Sequence, residues 1–394
     1  MLFILQIHNN NNYKNLNSKR LRPLFYLPTT KYYLNYNLDR FFYLRVFVKK
    51  MIRVGIVGAT GYTGEELLRL LSSHDGVEVA VVTSNTRKGE LLTDVFPLLD
   101  QFALSFVGHN SDSLHSCDLI FFATPNGIAM NYVPDLIKKD CRVIDLSADF
   151  RIRSPEIWQR WYKQQHACPE FLGNVVYGLP ELNRDLIIKA NLIANPGCYP
   201  TAIMLGLLPA IKNGLIDTKR IIANAVSGVS GAGRKAVLSK EFSDFTESFK
   251  AYGVFNHRHL PEMSQILNDT CLGGDINIVF TPHLVPMHRG IHATIYTDTI
   301  VSKDEIRNHY TNFFSQEKFV DVLSEGLCPE TQTVKMTNMC KIGFHFNNEE
   351  PQKMIILSVI DNLIKGAAGQ AIQNMNLMFG FDEEKGLIPS ESND

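Results

Sequence analysis

Two short stretches of this 394-residue chain hold side chains of the kinds that do covalent chemistry. In "NPGCYPTA", residues 195–202, a lone cysteine, Cys198, stands between Gly197 and Tyr199 at the head of an apolar run. In "FNHRHLPEM", residues 255–263, His257, Arg258, His259 and Glu262 crowd together. A thiolate attacks electrophilic carbon, an imidazole moves protons near neutral pH, and a guanidinium holds an anion. The ordinary reading competes with each: a free cysteine is most often a small buried residue, and a histidine pair a solvated or core-edge feature. For Cys198 position supplies a physical reason for the thiolate, and the rest of the sequence decides between the two. "NLIAN" reads as a short buried strand and "TAIMLGLLPAI" as a buried helix, so Cys198 falls at a strand-to-helix turn. There the first-turn amides and the positive end of the helix dipole favour the thiolate. Gly197 removes side-chain bulk, and Pro200 suits a first helical turn because it has no amide hydrogen to leave unpaired.

The elements that must position these groups begin at Met51. "IRVGIVGA" is a continuous apolar strand, "GATGYTG" a Gly-rich turn, "EELLRLLSSH" an amphipathic helix and "VEVAVVTS" a second strand. Gly58, Gly61 and Gly64 are spaced as a variant of the dinucleotide fingerprint, with Thr60, Tyr62 and Thr63 completing the turn. Such a turn lets the backbone approach a pyrophosphate, which the helix N-terminus then binds. At the end of the second strand, "TSNTRKG" offers Ser84, Arg87 and Lys88 with no acid before Glu90, which favours NADP over NAD. A solvated basic turn is the alternative there. "DLIFFATP" and "CRVIDLSADFR" continue the alternation of strand and helix, predicting a doubly wound parallel sheet of Rossmann type. Arg151, at a strand's carboxyl end, is placed to meet an anionic substrate or to form a surface ion pair. The Gly/Ser loop "VSGVSGAGRK" (226–235) is rich in backbone donors. A thiolate, a hydride donor, an acid/base and an anion clamp are the parts of a reductive acyl chemistry. A metal site built from His257, His259, His283, His288 and His292 has no cysteine or carboxylate cluster behind it, and none is expected.

Composition sets outer limits. With 45% hydrophobic and 20% charged residues the chain reads as globular, with room for two domains and no run long enough for a membrane span. Seven scattered cysteines without a CxxC pair point to a reducing compartment. The net charge of −1 hides an asymmetry: nine basic residues and one acid give residues 1–50 a charge of +8, leaving −9 elsewhere. No nucleic-acid partner is expected from that balance. The Asn-rich, basic first fifty residues show no steady period. They fit either an organellar transit peptide or a start codon placed ahead of Met51, and they are set apart from the fold. The cytoplasm is the expected location, with organellar import through residues 1–50 as the alternative.

"VGATGYTGEEL", "DLSADFR", "VYGLPELNR", "ANPGCYPTA", "SGVSGAGRK", "HRHLPE", "FTPHLVPMHRGI" and "NLIKGAAGQAIQNMN" occur in that order. Together they closely resemble the N-acetyl-gamma-glutamyl-phosphate reductases of arginine biosynthesis, a family related to aspartate-semialdehyde dehydrogenase and more distantly to glyceraldehyde-3-phosphate dehydrogenase. The resemblance covers about residues 51–382. It implies an NADPH-dependent reduction of an acyl phosphate to an aldehyde through a Cys198 thioester, with His259 as acid/base and thiolate partner and His257 contacting substrate. It further implies substrate contacts from Arg151, Asn195, Arg258 and Glu262, and cofactor contacts from Ser227, Gly228, Gly231 and Asn362. On this reading Cys198 is ionised near neutral pH beside a protonated His259. The implied architecture is an NADP-binding Rossmann domain, residues 51–197 with 362–382, and an α+β catalytic domain with a mixed sheet, residues 198–361, that also makes a homodimer or tetramer. Two rivals are the same chemistry on N-acetyl-aminoadipyl or aspartyl phosphate, and a non-catalytic NADP-sensing module, which would need neither Cys198 nor the two histidines.

Overall fold

The computed structural model describes residues 51–234, 247–271, 273 and 276–388, with the backbone of residues 26, 27, 30 and 31. Chain contacts divide the protein into Met1–Met51 and Ile52–Asp394. Of the first unit only an antiparallel pair is described, β1 (Tyr26–Leu27) with β2 (Thr30–Lys31). The expectation that residues 1–50 stand apart from the fold otherwise lies outside the described residues.

The second unit is built on two sheets. The first is formed by β3 (Ile52–Val57), β4 (Val77–Thr83), β5 (Leu119–Phe122), β6 (Arg142–Asp145), β7 (Val176–Tyr177) and β8 (Leu192–Ala194). Their order is β4-β3-β5-β6-β8-β7, and every pairing is parallel. All four side chains of "LIFF" in β5 are buried, as expected of a strand covered on both faces, which is why these strands read as unbroken apolar runs. Helices α1 (Tyr62–Leu71), α2 (Leu92–Val95), α3 (Val133–Lys138), α4 (Pro155–Tyr162) and α5 (Pro180–Ile187) lie between them in the chain. Strand β3 pairs with β4 on one side and β5 on the other, so the winding reverses there, and Val57 stands level with Thr83 and Phe122. A crevice opens beyond such a reversal.

The second sheet is mixed, with β9 (Ile221–Gly228), β10 (Lys250–Ala251), β11 (Ile278–Val285), β12 (Ile291–Asp298), β13 (Val320–Val322), β14 (Cys340–Phe346) and β15 (Lys353–Ile360). The order is β10-β11-β9-β12-β15-β14-β13. Strand β11 alternates strictly between buried and half-buried residues, so one face of this sheet is packed and the other is not. Helix α6 (Cys198–Lys212) fills the packed face; Ile203, Leu205, Leu207 and Leu208 are wholly buried against it. Each such side chain contributes about 1.5–3 kcal/mol of burial. The body of α6 is thereby anchored, and its first residue is held at the site.

The chain returns to the parallel sheet through helix Gly369–Phe379, whose Ala371, Ile372 and Met375 share that sheet's core. Ahead of that helix Ile364–Ala368 form a π-helical turn. The wider turn sets Gly366 against Cys198: a Cβ there would lie 2.8 Å from the Cys198 Cβ.

Candidate active site

Cys198 is the first residue of α6, and Gly197, with φ −70° and ψ 158°, is its N-cap. The ring of His259 occupies the space a side chain at position 197 would need, 2.2 Å from the ideal Cβ, so only glycine lets the imidazole come so close to the turn. Glu262 organises both groups from below. Its Oε1 accepts from the Gly197 amide at 2.8 Å and from the Tyr177 hydroxyl at 2.7 Å. Its Oε2 lies 2.9 Å from His259 Nδ1 and 3.5 Å from Arg151 Nη1. Nδ1–H of His259 therefore donates to the carboxylate, which leaves Nε2 with its lone pair.

The electrostatics differ from the expected ion pair. Burial pushes the Cys198 thiol up to about 11, against the Tyr199 amide and the Arg151 charge, which pull it down. Burial also holds His259 below the usual imidazole value, although Glu262 opposes it. Both shifts favour thiol with neutral imidazole over the ion pair, because desolvation opposes the helix terminus. Burial, with the neighbouring His259 and the Arg258 charge opposing a second proton here, takes His257 down to about 3. Its Nδ1 accepts the His259 backbone amide at 3.2 Å, and its ring packs edge-on against Tyr199, Tyr252 and Phe280. Burial alone would raise the Glu262 carboxyl, but Arg151 and His259 hold it at about 2.

A cavity of about 400 Å³ opens over these groups. Cys198, His257, His259, Arg258, Arg151, Ser227 and Gly231 all line it. Asn126, Tyr162, Lys250 and Tyr252 line it too. Of these only Asn126, in "TPNG" at the end of β5, carries a sequence signal; the others lie on segments with no chemical pattern. Three expected substrate or cofactor contacts are spent on the protein itself. Glu262, 1% exposed, lies beneath the cavity. Asn195 donates to Ala367 O at 3.1 Å and accepts from Asn374 at 3.1 Å. Asn362 accepts from the Gly290 amide at 2.7 Å and donates to Ser230 Oγ at 3.0 Å, fixing the Gly/Ser loop. Arg151 is largely committed as well, with Nε on Asn195 O and Nη2 on Leu146 O, both at 2.8 Å. Gly228 is tied to the facing turn through Gly290 O at 3.0 Å. Among the described residues no group of three or more His, Cys, Asp or Glu is placed to hold a metal ion.

The crevice beyond β3 fits a dinucleotide. Gly58 has φ +84° and a Cβ there would strike Ala123 O at 2.7 Å, whereas Gly64 packs the helix onto Ala59 at 2.6 Å. Gly61 faces open space, its nearest neighbour 3.8 Å away, which is where a backbone can approach a pyrophosphate. Thr60 and Ser84 hydroxyls lie 3.4 Å apart, and Ser84 is 3.3 Å from Thr86. Tyr62 and Thr63 open α1, with the Tyr62 ring under the Arg234 guanidinium at 4.6 Å. Arg87 is paired with Glu90 at 2.9 Å on the surface, and Lys88 beside it is exposed. Exposed pairs of this kind are worth little and exchange readily for a phosphate.

A parallel dinucleotide-type sheet joined to a mixed sheet, with a cysteine at their junction, defines the semialdehyde dehydrogenase class. Residues 53–190 match the family model "Semialdehyde dehydrogenase, NAD binding domain", and residues 198–362 match "Semialdehyde dehydrogenase, dimerisation domain". Within that class the chain belongs to the N-acetyl-gamma-glutamyl-phosphate reductase family. It is 52% identical to the N-acetyl-gamma-glutamyl-phosphate reductase of Alkalilimnicola ehrlichii, over 86% of this chain and 98% of that one. To the enzyme of the same name from Cellvibrio japonicus it is 51% identical, with the same coverage. The fold matches aspartate semialdehyde dehydrogenase II of Vibrio cholerae at a TM-score of 0.66 and 18% identity, over 84% of this chain and 99% of that one. It also matches the Candida albicans aspartate semialdehyde dehydrogenase solved with NADP, at a TM-score of 0.63 and 14% identity, over 84% and 99%.

Proposed function

We propose that this chain reduces N-acetyl-L-glutamyl 5-phosphate to N-acetyl-L-glutamate 5-semialdehyde and phosphate, using NADPH and a thioester on Cys198. The observation that carries the chemistry is the single carboxylate of Glu262, which binds both the turn bearing Cys198 and the ring of His259. As the acyl phosphate enters, Cys198 Sγ attacks its carbonyl carbon and the thiol proton passes to His259 Nε2. The imidazolium is stabilised by Glu262 across Nδ1–H, and phosphate leaves as the hydrogen phosphate dianion, taking from solvent the one proton that the reaction consumes. First-turn amides of α6 face the developing oxyanion. Gly197 N–H is committed to Glu262 and Pro200 has none, so Cys198 and Tyr199 supply these donors. Arg258 and Lys250 set positive charge on the cavity wall, which suits a substrate carrying phosphate and carboxylate. The Gly58–Gly64 turn would hold NADPH, which when bound would supply the hydride that takes the thioester to the aldehyde level. His259 returns its proton to Sγ as the carbon–sulfur bond breaks, restoring the thiol.

The half-exposed outer face of the mixed sheet, with Ile222 at 43% and Tyr296 at 41%, supports a homodimer or a tetramer of such dimers. Seven free cysteines support the cytoplasm. Among the described residues no helix is long and apolar enough to cross a membrane. The test runs the reaction in reverse, following NADPH formation from NADP and phosphate with the N-acetyl-glutamate, N-acetyl-aminoadipate and aspartate semialdehydes. N-acetyl-glutamate semialdehyde is expected to give the highest kcat/KM; a higher value for either other aldehyde rejects the substrate, and no turnover with any of them rejects the reaction.

A further inference from the structure

Glu66 and Asp361 belong to the two halves of the site, and one guanidinium joins them. Glu66, on α1 five residues past its N-cap Gly61, is 5% exposed. Its Oε1 accepts from Arg289 Nη2, and its Oε2 from Arg69 Nε at 2.9 Å. On the other side Arg289 Nη1 lies 3.6 Å from the fully buried Asp361 carboxylate. That carboxylate takes the amide hydrogens of Leu363 at 2.8 Å, Ile364 at 3.2 Å and Met336 at 2.8 Å. It thereby caps the π-helical turn whose Gly366 packs on Cys198. Arg289 therefore runs from the helix whose first amides face the pyrophosphate to the turn behind the nucleophile. The acyl and proton chemistry described above does not use it.

We infer that Arg289 is a positioning residue that sets the cofactor helix at a fixed distance from the back wall of Cys198. The inference rests on the NADPH-dependent reaction proposed above. Hydride transfer requires donor and acceptor carbons in near-attack contact, and here they are carried by elements of different sheets; a misplacement of about 1 Å costs about a hundred-fold. Acylation of Cys198 needs no such alignment, because its groups all hang from Glu262. Removing the guanidinium leaves Asp361 with no cation among the described ion pairs, and Glu66 with Arg69 alone. Two buried carboxylates without their shared counter-charge repel, and α1 shifts away from the π-helical turn.

Three readouts on the full chain test this in Arg289→Gln and in Glu66→Gln/Arg289→Gln. They are NADPH affinity by fluorescence titration, the covalent adduct formed on Cys198 by acyl phosphate without NADPH, and turnover. In Arg289→Gln the adduct is expected to form within about two-fold of the wild-type rate, while NADPH binds about ten-fold more weakly and turnover falls about a hundred-fold. The double variant is expected to regain most of the NADPH affinity, since Glu66 no longer repels Asp361 and α1 is released, but not the turnover, since Asp361 still lacks its cation behind Cys198. Should Arg289→Gln fail to fold, Arg289→Lys, which keeps the charge but reaches one carboxylate at a time, is expected to show the same split in milder form. Wild-type NADPH affinity and turnover in Arg289→Gln, or a loss of adduct formation as large as the loss of turnover, overturns the inference. A wild-type chain that neither binds NADPH nor forms the adduct overturns the proposed reaction, and this inference with it.

Discussion

His259 Nδ1 lies 2.9 Å from Glu262 Oε2, and that carboxylate's other oxygen holds the amide of Gly197, the residue before the nucleophile. The His259 ring, the proposed general base, and the turn that carries Cys198 are therefore positioned by one buried charge. Its oxygens take four donors in all, from Tyr177, Gly197, His259 and Arg151.

Glu262→Gln keeps the shape but must turn an amide NH₂ toward either the Gly197 N–H or the His259 Nδ1–H. One donor then faces another, and the imidazole loses both its tautomer and its counter-charge. We expect kcat to fall by at least about a hundred-fold while NADPH affinity stays within about three-fold. Steady-state kinetics and a fluorescence titration on the same preparation decide it. A variant with near wild-type kcat would show that Glu262 only fills a polar pocket.

That role was not legible in the sequence, where a glutamate in the first turn of a helix resembles any capping or substrate-binding residue. Its four partners sit at positions 151, 177, 197 and 259, and only the tertiary fold brings them together. The nucleotide turn was legible, because a continuous apolar strand followed by Gly58, Gly61 and Gly64 leaves few alternatives for the backbone. So was the turn bearing Cys198, set by the apolar runs on either side. Asn195 and Asn362 enter as ligand contacts only through the family resemblance, and the hydrogen bonds their amides make to neighbouring backbone and side chains were not legible. The ionised Cys198 expected from the sequence weighs the helix terminus alone, whereas burial pushes the thiol the other way. Helix position is local and visible in sequence, whereas burial is not.

Cofactor choice tests the surface turn after β4. Arg87 pairs with Glu90, a contact between two half-exposed side chains that a phosphate displaces at little cost. Arg87→Ala is expected to raise the KM for NADPH about ten- to a hundred-fold and to leave that for NADH nearly unchanged, given about 1.5–3 kcal/mol for a charge-assisted bond. Glu90→Gln, which releases Arg87, is expected to lower the KM for NADPH slightly. Parallel changes for both cofactors would place the 2′-phosphate elsewhere.

Acid stability follows from His257. Its pKa is about 3 in the folded chain and about 6.5 unfolded, so the unfolded state binds the proton first as pH falls. The stability this histidine contributes is complete above about pH 6.5 and is lost progressively as pH drops toward 3; His259, also lowered, adds in the same direction. His257→Asn retains an acceptor for the His259 amide but does not titrate. Between pH 7.5 and 4.5 the wild type is expected to lose about 2–3 kcal/mol more than this variant in denaturant unfolding. Equal losses would mean that His257 is solvated and holds its ordinary value.

The nucleophile itself gives the sharpest contrast between helix position and burial. A thiol pushed up to about 11 is almost wholly protonated at pH 7, less ionised than a free cysteine with a pKa of about 8.5. Without substrate, iodoacetamide is therefore expected to label Cys198 more slowly than a free thiol at neutral pH, with a rate that climbs about ten-fold per pH unit up to pH 9 and beyond. The proposed reaction does not need the resting thiolate, because in it His259 Nε2 takes the proton as the acyl phosphate arrives. His259→Asn should then abolish adduct formation from acyl phosphate while leaving the slow, base-driven alkylation nearly intact. Cys198→Ala should keep NADPH binding and lose turnover. Fast labelling at pH 7 that collapses in His259→Asn would instead reveal a preformed thiolate–imidazolium pair, and the proton transfer placed in the acylation step would be wrong.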